Sequence, residues 1–247
     1  MKLILFFVML VLSISYSYAH VNSDTTKVST VFSGSVQLTN NGISLVPAFS
    51  LGAPALMAFF EAKRRRFSYC PQFSFDSEGK PWYMNQWLRY QVVDGHKFSY
   101  RSSISYSFLY KPSEEVKDGI VTPIIKIDRN VIFEQLMVAQ ITAKTALVLV
   151  HLHGMPTTKE GINLDLMTIG TSTKAIKLAS KVTMDIVPSI FYLTYTGGNE
   201  GVFTTENISF HYEKLPVSIG FQATEPLWMK NLHVESFNWA LSAIYSF

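Results

Sequence analysis

The chain has 247 residues, of which 48% are hydrophobic, 14% aromatic and 16% charged, with a formal net charge of +3. A net charge this small gives no reason to expect a nucleic-acid partner. Cys70 is the only cysteine, which excludes an internal disulfide. An apolar chain without disulfides needs a large hydrogen-bonded framework to hold it together.

Residues 1–19 have the layout of a secretory signal peptide. A positive start is followed by the apolar run Leu3–Leu12, and Ser17-Tyr18-Ala19 supplies small residues for a signal peptidase. The apolar run is shorter than the roughly 20 residues that a membrane helix requires. We therefore expect cleavage before His20, which leaves one exported domain over residues 20–247.

One concentrated run of positive charge follows, and we expect it to form a turn between two strands. It consists of Lys63, Arg64, Arg65 and Arg66. If this turn lies outside the cell, its arginines are candidates for contact with lipopolysaccharide phosphates, because arginine pairs bidentately with phosphate. The turn could equally face the periplasm.

Alternation of apolar and polar residues covers most of the chain and predicts β-strands with one apolar face. The clearest example spans residues 97–110, and similar patterns occur around residues 43–51, 67–76 and 178–192. In residues 97–110, one face of the predicted strand carries Phe98, Tyr100, Ile104, Tyr106, Phe108 and Tyr110. Turn signals such as Asp94-Gly95 separate the runs at short intervals, which indicates an antiparallel meander.

These strands could form either a soluble β-sandwich or a membrane-spanning β-barrel. The apolar faces are strongly aromatic, as in the aromatic girdles of membrane barrels, and the opposite faces carry serines, amides and charges suited to a polar lumen. The sequence therefore favours an all-β, antiparallel, up-and-down transmembrane barrel. At roughly 19 residues per strand and turn, the exported domain makes about 12 strands, with 10 to 14 possible.

The C-terminal segment alternates up to its last residue, with an outward set that consists of Phe237, Trp239, Leu241, Ala243, Tyr245 and Phe247. It resembles the C-terminal signal of outer-membrane proteins, which the barrel-assembly machinery recognises. This resemblance implies that the last strand pairs with the first and closes the barrel, because lipid cannot satisfy an open strand edge.

Two longer phrases, residues 42–55 and 73–82, resemble a group of uncharacterised outer-membrane barrels from Bacteroidetes-type bacteria. The pattern of that group favours lysine where Ala53 stands. The resemblance extends over the exported length and implies the fold and the outer-membrane location, with lipid and lipopolysaccharide as the surroundings. It implies no activity and no site residues.

If the apolar faces meet lipid, the polar faces line the lumen. The candidate lumen residues are Arg89, Arg101, His151, His153, Asp165, Lys181, Asp185 and His211. Charges of both signs in a narrow barrel are expected to pair with one another, since an unpaired buried charge is costly. Alternatively, they tune the selectivity of a channel.

His151 and His153 are two residues apart and therefore share a strand face. A metal site there would need a third ligand, for which Asp165 is the candidate. An acid–base role in a lipid-acting enzyme would need a nearby serine, and none stands beside either histidine. We expect ordinary lumen histidines, with no metal and no cofactor.

The sequence supports three hypotheses of function. A narrow pore or small-solute transporter leads, because the polar strand faces suit a water-filled lumen. A lipid-acting enzyme and a structural barrel with a plugged lumen are the alternatives, and the sequence does not establish any activity.

Overall fold

The computed structural model describes residues 29–44, 50–117, 120–158, 161–232 and 236–247. Within these ranges the chain forms twelve β-strands, each antiparallel to its neighbours. No helix in the described ranges is long and apolar enough to cross a membrane. The proposed signal peptide lies outside the described residues.

The strands follow one another in an up-and-down order. They are β1 Val31–Thr39, β2 Ala55–Arg64, β3 Phe67–Asp76, β4 Pro81–Asp94, β5 Phe98–Lys117, β6 Ile120–Gln140, β7 Thr145–Pro156, β8 Leu164–Ala179, β9 Val182–Tyr195, β10 Asn199–Tyr212, β11 Val217–Lys230 and β12 Asn238–Ser246. Every strand pairs with the next along the chain, and β12 pairs with β1. The barrel is closed, and both the predicted fold and the predicted strand number are confirmed.

Closure brings the end of the chain against its first strand. Ser35 lies opposite Ser246 in the β1–β12 ladder. Beyond the ladder, Gly34 and Phe247 exchange two backbone hydrogen bonds of 2.9 and 3.0 Å. The Phe247 ring lies on the outer face, 6.1 Å from the ring of Phe60. The terminal phenylalanine is thus part of the seam that removes the open edge.

The two ends of the barrel differ in their connections. One end, here called the terminus end, carries the start of β1 and the end of β12. Its turns lie at residues 65–66, 95–97, 141–144, 180–181 and 213–216. The opposite end, here called the loop end, carries the longest connections, such as those at residues 40–54 and 231–237, although its turns at residues 77–80 and 196–198 are as short as those of the terminus end. Short turns at one end and longer loops at the other are typical of bacterial outer-membrane barrels.

The first loop corrects one strand prediction. Ile43 and Leu51, which we expected in a strand, lie in the β1–β2 connection, and residues 45–49 are outside the described residues. The Gly42 and Leu51 backbones are tied by a 2.7 Å hydrogen bond, and Gly42 sits against the Trp82 ring. Alternation in this segment therefore reflects a loop packed on the barrel.

The outer face of the strands is largely apolar, and the inner face is mixed. In β5, Ile104 and Tyr106 are exposed on the outside, while Ser103 and Ser105 are buried inside. This is the division predicted for residues 97–110. The division follows from the strand itself, because successive side chains point to opposite faces.

Candidate functional site

A ladder of amides and hydroxyls crosses the inner face of β3, β4 and β5. The Asn85 side chain donates to Gln72 Oε1 at 3.1 Å, and Ser107 Oγ donates to Asn85 Oδ1 at 2.6 Å. These three residues are paired in register across the strands, so their side chains meet without strain. The ladder makes this wall of the lumen polar and fixes its rotamers.

A cavity of about 350 Å³ lies against this wall. Its lining comprises inner-face residues of β3 to β8 together with Ile43 and Ser44 of the first loop and Ile162 of the β7–β8 loop. The lining combines amides, hydroxyls and charged groups with the rings of Tyr83 and Trp87 and with aliphatic side chains such as Leu109 and Ile132. The cavity is therefore large enough for water and small solutes, and the loops partly cover it.

Two charges in the lumen neutralise each other. Arg101 Nη2 and Glu134 Oε1 are 3.0 Å apart, and Ser103 Oγ donates to the same carboxylate oxygen at 2.8 Å. Both side chains are largely shielded from solvent. This pair matches the expectation that opposite charges meet inside a narrow barrel, because burial penalises a lone charge.

Arg89 is different, because it has no carboxylate partner among the described residues. Its guanidinium carbon lies 5.6 Å from the centre of the Trp87 ring, a cation–π arrangement. Its Nε atom is buried without a hydrogen-bond partner, and the residue lines the cavity. The cavity thus contains a cation that forms no ion pair with any described carboxylate and that lies against an aromatic ring.

A second polar contact lies nearer the terminus end. His211 Nε2 and Asp185 Oδ2 are 3.5 Å apart, on neighbouring strands of the inner face. Asp185 also accepts a hydrogen bond from the Ala175 backbone at 2.8 Å. Lys181, which we predicted to line the lumen, lies instead in the exposed β8–β9 turn at the terminus end.

Sequence reasoning missed an apolar cluster inside the lumen at the loop end. It consists of Leu164, Leu166, Phe191, Leu193, Phe203 and Leu232, all buried. The Phe191 and Phe203 rings stack at 5.0 Å. The signal was present in β8 and β9, where inward positions are as apolar as outward ones. This cluster fills one side of the lumen and narrows any path through it.

The structure corrects the prediction that His151, His153 and Asp165 line the lumen. Leu152 and Leu164 face the cavity. The flanking side chains must therefore point outward, since neighbours on a strand alternate. His153 Nδ1 lies 2.8 Å from Asp165 Oδ1, and His151 Nε2 lies 3.5 Å from the same oxygen. The three side chains form a polar cluster on the outer surface.

Metal binding and acid–base catalysis are the two chemistries that the sequence suggested for this outer cluster. Among the described residues, no group of three His, Cys, Asp or Glu side chains is arranged to hold a metal ion. Within the described ranges, the side-chain hydrogen bond of this cluster joins His153 to Asp165. No described hydroxyl is hydrogen-bonded to His151 or His153.

The basic run lies at the terminus end. Lys63 and Arg64 end β2, and Arg65 and Arg66 form the β2–β3 turn, with Arg65 at a φ of 56°. Short turns of bacterial barrels face the periplasm. Contact with lipopolysaccharide therefore stays a prediction that requires the opposite orientation.

Comparison with known proteins places the architecture. No protein-family model matches the chain, and no curated protein matches it in sequence. The solved structure of the KdgM porin in complex with disordered oligogalacturonate is similar, with a TM-score of 0.57 and 9% identity, covering 87% of this chain and 99% of the porin. The KdgM porin alone gives a TM-score of 0.54 at 9% identity, with the same coverage.

A further similar structure is an outer membrane channel from Pseudomonas putida F1. Its TM-score is 0.53 at 9% identity, covering 92% of this chain and 100% of the channel. Identities this low show the fold alone. The chain has the fold of outer-membrane β-barrels.

Proposed function

We propose that this chain resides in the outer membrane as a narrow pore for small polar solutes, with a preference for anions. The observation that carries the proposal is the cavity of about 350 Å³ inside a closed barrel, with the unpaired Arg89 in its lining. Rings of charged or polar side chains set selectivity in pores of this kind.

The preference for anions follows from the balance of charges at the cavity. Arg101 and Glu134 form an ion pair, so their fields largely cancel. Arg89 has no such partner among the described residues, and its contact with Trp87 leaves the positive charge in place. A cation inside low-dielectric walls attracts anions more strongly than the same cation in bulk water.

The experiment is conductance of the purified protein in planar bilayers under a salt gradient. We expect discrete steps and a reversal potential on the anion-selective side. Arg89→Gln should shift that potential toward cations. The control Lys181→Gln, which removes a charge from an exposed turn outside the lumen, should leave the potential unchanged.

Absence of discrete steps at every salt and voltage would count against the pore. It would favour the plugged structural barrel, for which the apolar cluster of β8–β10 already provides part of the plug.

A lipid-acting enzyme is the second candidate, and one observation favours it. The contact of 2.8 Å between His153 and Asp165 would orient an imidazole as a base on the surface that meets lipid. Incubation with phospholipid and with lipopolysaccharide, beside a form carrying His151→Ala and His153→Ala, tests it. Without hydrolysis or acyl transfer by the unmodified chain, this candidate fails.

Export through a cleaved signal peptide and recognition of the C-terminal strand by the barrel-assembly machinery complete the proposal. The apolar run Leu3–Leu12 supports export, and the terminal Phe247 at the seam supports recognition of the last strand. Mass spectrometry of the mature chain from the outer-membrane fraction should give a first residue of His20.

A further inference from the structure

We propose that the outer surface of β7 to β10, here called the β7–β10 face, is the interface at which two copies of this chain associate in the membrane. The proposal requires the barrel to span a membrane, but it does not depend on conduction through the lumen. Ionisable side chains on the outer surface are concentrated on this face.

Ionisable groups are unevenly distributed around the barrel. The described outer faces of β12 and β1 to β4 carry no Asp, Glu, His or Lys, and one arginine, Arg64, at the terminus end. On the β7–β10 face, His151, His153, Asp165, Glu200 and Glu206 interrupt the apolar surface, and Glu225 of β11 lies beside it. Glu200, near the loop end, is paired with Lys230. His151 is the seventh of twelve residues in β7, and Glu206 is the eighth of fourteen in β10.

These groups are not covered by the barrel itself. The side chains of His151, His153 and Asp165 are 44%, 39% and 47% exposed. Glu206 is half-buried, and it has no hydrogen bond or ion pair with any described residue. Lipid tails cannot satisfy such groups, and charge on the lipid face of a barrel is most unfavourable at mid-depth. Ionisable residues that face a membrane therefore point to a polar partner.

The register of the strands places His151 and Glu206 at the same depth. Leu149, Ile169, Ile190 and Thr204 are paired in succession across β7, β8, β9 and β10. Because the strands of a barrel are tilted, such a line changes depth from strand to strand.

The strand pairing from β1 to β7 shows in which direction such a line changes depth. The line that starts at Ser35, in the middle of β1, reaches Pro156, the last residue of β7 at the loop end. The line therefore climbs toward the loop end. The line from Leu149 to Thr204 therefore rises toward the loop end. His151 lies two residues toward the loop end from Leu149, and Glu206 lies two residues toward the terminus end from Thr204. These two offsets cancel the rise of the line, so His151 and Glu206 lie at the same depth.

The partner that fits this arrangement is a second copy of the chain. A two-fold axis along the membrane normal, between β8 and β9, sets β7 of one copy against β10 of the other at equal depth. His151 of one copy then lies opposite Glu206 of the other, and the contact occurs twice. Met167, Ile169 and Ile190, which are 61%, 51% and 48% exposed, would form the centre. An apolar centre with polar flanks is the usual anatomy of an interface.

Cysteine crosslinking of the full chain in bilayers tests the proposal. In a Cys70→Ser background, protein carrying His151→Cys is mixed with protein carrying Glu206→Cys and oxidised. We expect a crosslinked dimer from this mixture. The matched control pairs His151→Cys with Leu38→Cys, an exposed outer-face residue of β1, and we expect at least tenfold less dimer.

A second measurement follows the stoichiometry by single-molecule photobleaching of labelled protein in dilute bilayers. Two-step traces should dominate for the unmodified chain, and Glu206→Gln should reduce them severalfold. The combined form with His151→Glu and Glu206→His exchanges the two side chains and should restore the two-step traces. Electrophoresis without heating confirms that each variant is folded.

Equal crosslinking at the control position, or single-step traces for the folded unmodified chain, would overturn the interface. Hydrolysis of lipid by a monomeric chain would overturn it as well, because the outer cluster would then be a catalytic site that needs access to lipid.

Discussion

Glycine at position 34 is required by the close approach of two strands and the terminal ring. A Cβ atom there would lie 2.7 Å from the Phe59 carbonyl oxygen and 2.8 Å from the Phe247 ring. The ring can rotate away, but the backbone carbonyl in the β1–β2 ladder cannot. The seam between the first and last strands therefore depends on the absence of a side chain at this position.

Replacement of this glycine by a larger residue should weaken barrel closure. We expect Gly34→Val to lower the free energy of unfolding by about 1–3 kcal/mol, the usual cost of overpacking. Urea titration of the refolded protein in detergent measures it. The control Val36→Leu, on the same outer face of β1, should change stability by less, and equal loss in both forms would contradict the steric explanation.

Phe203 shows how a single buried ring can control both stability and the width of the lumen. It is fully buried and stacks on Phe191 inside the barrel. We expect Phe203→Ala to lower the free energy of unfolding by about 3–5 kcal/mol, because it leaves a cavity. The same cavity should enlarge the path and raise single-channel conductance in planar bilayers.

The matched control for this prediction is Phe210→Ala in the same strand. Phe210 is 38% exposed and points outward. Its removal should leave conductance unchanged, since it does not border the lumen. If both variants conduct as the unmodified chain does, the apolar cluster does not limit the path.

At the scale of elements, β5 and β6 extend beyond the rest of the barrel. The β4–β5 ladder ends at Tyr83 and Leu109, and the β6–β7 ladder begins at Asn130 and Pro156. Among the described residues, 110–117 and 120–128 therefore share a strand ladder only with each other, while Arg129 accepts a backbone hydrogen bond from Thr157. Within this projecting hairpin, Lys111 Nζ and Asp128 Oδ2 are 2.6 Å apart.

The hairpin should be dispensable for folding because it shares no ladder with the other ten strands. We expect a form in which residues 113–124 are replaced by Asn-Gly to refold with the same yield and the same midpoint in urea. The two-residue turn suits an antiparallel pair. A large loss of folded protein would mean that the hairpin contributes to assembly.

Among the elements, β5 and β12 were well predicted from sequence, and β7 was not. In β5, serines alternate strictly with aromatic residues, so polarity alone assigns both faces. In β7, the run Leu147 to Val150 is apolar on both faces, and the two histidines were the polar residues available to suggest which face is inward. Their outward placement follows from register with β6 and β8, which local sequence does not specify.

At the scale of the whole molecule, the barrel has a polarity that predicts its orientation. The terminus end has short turns and the basic run, and the loop end has the longer connections and the projecting hairpin. By analogy with bacterial barrels, the terminus end should face the periplasm.

Labelling of intact cells with a membrane-impermeant maleimide checks this orientation. In a Cys70→Ser background, Glu78→Cys at the loop end should label, and Lys181→Cys at the terminus end should label only after the outer membrane is broken. The reverse pattern would place Arg65 and Arg66 outside the cell and restore lipopolysaccharide as their partner.

Residue types and their period of two were sufficient to infer a closed antiparallel barrel of about twelve strands. The inference succeeds because a strand exposes alternate side chains to two different environments, and the composition of each face records its environment. The apolar cluster in the lumen, the isolated charge of Arg89 and the outward histidines required the fold. These features depend on which strands become neighbours and at what register, and both are set by closure of the sheet around its full circumference.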